Sequence, residues 1–204
     1  MSTIVKKQSR IDSLTAILKS RGILRVCELP KLGFSRSYLS ELEKRGIAVR
    51  QARGVYMHVD TEIPSDHHMA VVCKKIPRGV ICLLSALSWH EIGVAAPHEV
   101  WIAIDRKARL PKMDYPPVRI VRFSGNALSE GVLTSEAALS VRVYNPAKTV
   151  ADCFKYRNKF GKDVAIEALR EGWRKRLFTV DELTHYAGIC RVENIMKPYL
   201  ESVL

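Results

Sequence analysis

An α+β fold in two modules follows from three features of the sequence. Helical periodicity gives way to strand patterning and then returns, a basic excess gathers at one end, and a polar stretch lies between. Of the 204 residues, the first 58 carry twelve Lys/Arg against four Asp/Glu, a net of +8. Residues 59–204 carry 21 against 17, a net of only +4. A basic module followed by a nearly balanced one implies different partners for the two. The polar stretch 60–66, which holds Pro64, is the expected linker between a domain at 1–60 and another at 67–204.

Within the basic module, Ile11, Leu14, Ile17 and Leu18 recur on one helical face, and Gly22 stops that helix after the basic Arg21. A second short helix is expected over Val26–Leu32, with Val26, Leu29 and Leu32 on one side. Pro30 is awkward inside it, because proline lacks an amide donor and crowds the preceding turn. Gly33 ends it. A third helix follows Ser35, a good N-cap, with Leu39 and Leu42 facing inward and Gly46 as its stop. Two strands, Ile47–Gln51 and Val55–Val59, flank a turn at Ala52-Arg53-Gly54. Three short helices and a hairpin in this order, on a basic segment, are the pattern of a winged helix-turn-helix.

The second module reads as a small mixed sheet with helices bunched at its C-terminal end. A helix is expected from His68 to Lys75 and an apolar strand over Gly79–Leu84. Ser85 then caps a helix running through Trp89 to Ile92. Strands follow at Val100–Ile104, Val118–Phe123 and Leu139–Tyr144. Asn145 caps a helix with Pro146 at its first position, where proline is favoured, and this helix runs to about Arg157. Helices over Asp163–Arg174, Val180–Ala187 and Arg191–Val203 complete the chain.

A formal net charge of +12 makes a polyanion the first partner to consider. In a helix-turn-helix the second helix of the motif enters the major groove N-terminus first. That places Ser35, Arg36, Ser37 and Tyr38 at double-stranded DNA, with Ser40, Lys44 and Arg45 along the same helix. Arg36 suits a bidentate contact to guanine, and serine hydroxyls suit phosphates. Arg50 and Arg53 sit on the hairpin, where a wing meets the minor groove or the backbone.

Three segments carry a family resemblance. They are Asn145-Pro-Ala-Lys-Thr-Val-Ala-Asp-Cys-Phe-Lys-Tyr-Arg-Asn-Lys-Phe-Gly161, Cys82-Leu-Leu-Ser-Ala-Leu-Ser-Trp-His90, and Arg45-Gly46 followed by Gly54-Val55-Tyr56. In this order the chain resembles, over about residues 10–204, the AbiEi antitoxins of type IV toxin–antitoxin systems. Lys148, Thr149, Asp152, Arg157 and Gly161 are the most specific part. The resemblance implies an N-terminal winged helix-turn-helix that represses its own operon by binding operator repeats; a dimer on DNA is a further expected arrangement. It also implies a C-terminal domain that counteracts a nucleotidyltransferase-like toxin without needing to touch it.

Read from the residues alone, Asn145–Gly161 is first a scaffold helix, with Lys148 and Asp152 as a weak i, i+4 pair. Its second reading is a functional surface through Lys148, Lys155, Arg157 and Lys159. Other function classes fare worse. Asp105-Arg106-Lys107 at a strand end has the core of a Mg²⁺ nuclease site, but its second acid, Glu91 or Glu99, fits no firm spacing. Ser85 and His90 lack a nucleophile elbow. His67-His68 reads as a helix start rather than a metal site. No Walker A or dinucleotide fingerprint is present, and no cofactor or metal is expected. The alternatives kept are a winged-helix regulator whose C-terminal domain senses a ligand or dimerises, with no toxin, and a DNA-targeted Mg²⁺ nuclease.

Cys27, Cys73, Cys82, Cys153 and Cys190 show no paired spacing and read as reduced, mostly buried thiols. No apolar run approaches the ~20 residues of a membrane span. Met1–Arg10 is polar and basic with no apolar segment behind it, so the expected location is the cytoplasm.

Overall fold

The computed structural model describes residues 2–61, 66–93, 97–135 and 140–203, with side chains from Gln8 onward. It is α+β and divides into two compact units. The first is Met1–Pro77 with Pro111–Pro117 and Ser135–Val141; the second is Arg78–Leu110, Val118–Thr134 and Arg142–Leu204.

The first unit opens with α1 (Ser2–Arg21), β1 (Ile23–Arg25) and a 3-10 helix over Val26–Leu32. Next come α2 (Ser37–Lys44), β2 (Ala48–Ala52), β3 (Val55–His58) and α3 (His67–Lys75). The face predicted for α1 is its buried one. Ile11, Leu14 and Leu18 share a core with Leu24, Leu29, Leu39, Leu42, Ala48 and Tyr56. The expected second α-helix is instead the 3-10 helix, with Pro30 inside it. The tighter spiral suits short pieces, and an α-helix would set the proline ring against the turn before it.

Ile23–Arg25, to which the sequence pattern assigns no element, is a strand. It pairs antiparallel with β3, so the sheet order is β1-β3-β2. Three residues are too few for alternation to announce a strand. Ser35 does not cap α2 with its hydroxyl. Its carbonyl accepts from Tyr38 N at 3.2 Å, while its Oγ meets Ser37 Oγ at 3.0 Å. Arg36, already helical in backbone, stands at the cap position.

The expected linker 60–66 falls within the first unit, and residues 62–65 of it lie outside the described residues. α3 groups with the first unit, packed on β1 and β3 with Met69, Ala70, Val71, Val72 and Cys73 buried. A cut in the linker would therefore strip α3 from the strands it covers.

The second unit holds β4 (Val80–Ile81), α4 (Leu83–Trp89), β5 (Val100–Asp105) and β6 (Val118–Phe123). α5 (Asn126–Ser129), β7 (Val132–Thr134) and β8 (Arg142–Tyr144) follow. The chain ends in α6 (Pro146–Lys155), α7 (Arg157–Phe160), α8 (Lys162–Arg174), α9 (Val180–Cys190) and α10 (Glu193–Glu201). The sheet is mixed, in the order β6-β5-β4-β8-β7. The β5–β6 and β4–β8 pairs are parallel, and the β4–β5 and β7–β8 pairs antiparallel.

The predicted strand Gly79–Leu84 shrinks to Val80–Ile81, because Leu83, at φ 48°, turns the chain straight into α4. Ser85 is therefore inside the helix and caps nothing; its buried Oγ accepts from Trp101 N at 2.9 Å. Leu139, the start of another predicted strand, lies outside the described residues. α5 and β7 are too short to leave a sequence period. Asn145 caps α6 as expected, its Oδ1 accepting from Lys148 N at 2.8 Å, with Pro146 in the first turn. The helix breaks at Tyr156 rather than running through Arg157.

Candidate nucleic-acid interface

α2 and the β2–β3 hairpin present the residues expected to meet DNA. On α2, Leu39 and Leu42 point into the core, which turns Ser37, Ser40 and Lys44 outward. Ser35, Arg36 and Arg45, which flank the helix, are exposed as well. Gly46, at φ 70°, lets the chain reverse into β2, a backbone state that costs glycine almost nothing. Arg50 on β2 and Arg53 at the hairpin tip are exposed, while Val55 and Tyr56 of the returning strand are buried. The register slips between Arg50 and Ala52, a local bulge that twists the hairpin just before its tip.

Two of the expected residues are less free than the sequence suggested. Arg45 donates to Glu41 Oε1 at 3.1 Å and to Gln8 Oε1 at 3.0 Å, tying α2 back to α1. Tyr38 is half-buried. Its ring meets Phe34 edge-on at 5.9 Å, and the Arg10 guanidinium lies over both rings.

Two further cations join this face through the fold. Arg10, on α1, reaches the start of α2 and donates to the Gly33 carbonyl. Lys75, at the end of α3, donates to the Arg53 carbonyl at the hairpin tip. Burial first, then the nearby Arg25 and Arg53, lower the Lys75 pKa, so this amine sits within a cationic group. Neither Arg10 nor Lys75 lies near the hairpin in sequence, and no local pattern marks either.

Residues 12–57 match the family model described as a transcriptional regulator, AbiEi antitoxin. Over those residues the chain is similar to AbiEi-type regulators. The matched span runs from α1 through β3, so it contains α2 and the hairpin together. Among solved structures, the RV2827C protein of Mycobacterium tuberculosis is similar in fold, with a TM-score of 0.52 and 14% identity. That match covers 93% of this chain and 79% of the other. No curated protein matches the chain significantly.

Outside the matched residues, the expected C-terminal surface changes most. Lys148 is fully buried and belongs to no surface. α6 packs on α4, α8, α9 and α10, which covers its polar side as well as its apolar one. Lys148 Nζ lies 2.6 Å from Asp152 Oδ2, and over the Tyr144 and Phe123 rings at 4.3 and 4.9 Å. Burial raises the Asp152 carboxyl above its usual range, against the pull of Lys148 and a hydrogen bond from Cys190 Sγ. Gly131 completes the box, since a Cβ there would stand 2.9 Å from Lys148 Cβ. Lys155 and Lys159 are exposed and Arg157 is half-buried, its guanidinium donating to the Phe154 carbonyl.

The residues weighed for catalysis are occupied with structure. Asp105 Oδ1 accepts from Lys107 N, and Glu99 pairs with Arg119 at 2.6 Å. His90 Nε2 bonds the Tyr144 carbonyl at 2.7 Å, in a different role from any pairing with Ser85. His67 Nε2 meets Gln51 Oε1 at 2.9 Å. No group of three or more His, Cys, Asp or Glu among the described residues is placed to hold a metal ion. No described helix is long and apolar enough to cross a membrane. Cys27 is exposed and the other four cysteines are buried.

Proposed function

We propose that this protein is a non-enzymatic transcriptional repressor that binds operator repeats in its own promoter and serves as the antitoxin of a nucleotidyltransferase-like toxin. The observation that carries this reading is the face made by α2 and its hairpin. Arg36, Lys44, Arg50 and Arg53 are exposed there, while the apolar residues of the same elements close the core beneath. α2 enters the major groove, with Ser35, Arg36 and Ser37 leading; the hairpin follows the adjacent backbone. Tyr38 contributes mainly by fixing Arg10 and Phe34 behind the helix start. The regulator family described for residues 12–57 supports the DNA-binding half of the reading. The antitoxin half rests on the resemblance of the longer chain, and assigns that role to the second unit.

The test is a footprint of the intact protein on the DNA upstream of its own reading frame, repeated with Arg36→Ala and Arg53→Ala together. A protected repeat that the double variant loses is the expected result. A footprint unchanged by the double variant would overturn the placement of DNA on this face. Protection of cells from the toxin, with the antitoxin supplied from an unrelated promoter, tests the second role separately.

A further inference from the structure

The second unit contains a cleft of about 950 Å³ whose chemistry the operator reading does not use. Its walls come from four stretches of the chain. The end of the β5–β6 pair brings Arg106 and Arg122, the α6–α7 junction brings Lys155 and Arg157, and the residue after α9 is Arg191. Among the described residues, no Asp or Glu lines it. Asp152, whose field reaches Lys155, is already paired with Lys148. Five cations facing one concavity repel one another unless an anion joins them.

The Arg122 side chain and the Arg191 backbone are held in place. Arg122 Nη1 donates to the carbonyls of Asp105, Arg106 and Ala108 at 3.2, 2.7 and 3.0 Å, which clamps the loop that carries Arg106. Arg191 closes α9 in the left-handed conformation, at φ 60° and ψ 45°. Glycine takes that conformation at no steric cost, so an exposed arginine there keeps a charge at the rim at the expense of backbone ease. The cleft is not purely ionic. The half-buried Tyr156 ring, stacked on Phe123 at 5.7 Å, lines it together with Val192 and Ile195.

We propose that this cleft binds the phosphates of a nucleotide-sized ligand, with the Tyr156 side offering an aromatic and apolar surface to the base. Guanidinium groups match phosphate oxygens in pairs, and their planar forks are preorganised for it. The volume lies within the range of small-molecule sites, roughly 300–1,000 Å³. The cations converge on one hollow instead of forming the long track that a duplex requires. This inference stands apart from operator binding, which belongs to the first unit.

The experiment is calorimetric titration of the full chain with ATP, GTP, CTP, UTP and inorganic pyrophosphate. A fluorescent single-stranded oligothymidylate and the operator duplex form separate arms. The double variant Arg106→Ala, Arg191→Gly removes two exposed charges and relieves the left-handed backbone, so the fold is spared. Binding of at least one triphosphate, weakened roughly tenfold or more in the double variant, is expected, because each lost charge-assisted bond weighs about that much. Operator footprints of the same variant stay unchanged. No heat with any nucleotide, or equal binding by the variant, overturns the proposal. So does an oligonucleotide that binds more tightly than every mononucleotide and displaces it. A failure of the operator reading would instead appear in the α2 variants and leave these titrations untouched.

Discussion

The Lys148 ammonium lies 2.6 Å from the Asp152 carboxylate, and both side chains are sealed within the second unit, at 0% and 1% exposure. One turn of α6 separates them, the spacing that on a helix surface yields only a few tenths of a kcal/mol. Burial changes the scale. Two charges taken out of water hold each other, and the faces of Tyr144 and Phe123 complete the solvation of the cation.

Removing one partner leaves the other charged and buried. Lys148→Met is therefore expected to lower unfolding stability by about 3–5 kcal/mol, and Asp152→Leu by a similar amount. The double variant recovers much of that loss, since an apolar pair of similar volume suits the site. Urea unfolding of the four proteins measures this. A single variant within about 1 kcal/mol of the parent would show the pair to be dispensable.

Arg36 stands at the start of α2, exposed and outside any ion pair among the described residues. Arg36→Ala should weaken operator binding by about 1–3 kcal/mol while leaving binding to random DNA much less affected. Competition titrations against both DNAs distinguish base readout from backbone contact. Equal losses on the two would reassign Arg36 to phosphate.

The hairpin cations predict a salt effect. Each phosphate neutralised releases counterions and adds a slope of about −0.9 to the log–log salt dependence. Arg53→Ala should make the operator slope shallower by about one. Lys75, bonded to the Arg53 carbonyl, should act through the position of the tip. Lys75→Ala is thus expected to lower affinity with a smaller change in slope. An identical slope in Arg53→Ala would place the tip away from DNA.

Three histidines make stability depend on pH. Burial lowers the pKa of His58, His67 and His90; Lys19 adds to the effect at His58 and His68 at His67. At His90 the bond to the Tyr144 carbonyl opposes the shift without cancelling it. Below their ordinary value near 6.5 the unfolded chain binds more protons than the folded one, so stability rises with pH through that range. These contributions are complete above about pH 6.5 and fade as the pH falls through the folded values. Denaturation midpoints taken between about pH 5 and pH 7 check this, and His90→Gln should flatten the profile. A flat profile in the parent would mean the three rings titrate alike in both states.

Much of this protein is legible along the chain. The apolar faces of α1 and α2, the hairpin and its arginines, the parallel pair's strands and the Asn145–Pro146 start of α6 follow from local rules: side-chain period, capping chemistry and charge. Those rules act over a few residues, so a sequence displays them directly. The tertiary structure decided what depends on distant partners. It made Ile23–Arg25 a strand by pairing it with β3, joined Lys75 to the hairpin tip, and gathered Arg106, Arg122, Lys155, Arg157 and Arg191 around one cleft. Lys148 marks the division most sharply. Its spacing from Asp152 is visible in the sequence, but whether that pair lies in water or in the core depends on four helices packing around α6. The energy of an ion pair is set by the dielectric around it, and only the packed fold supplies that.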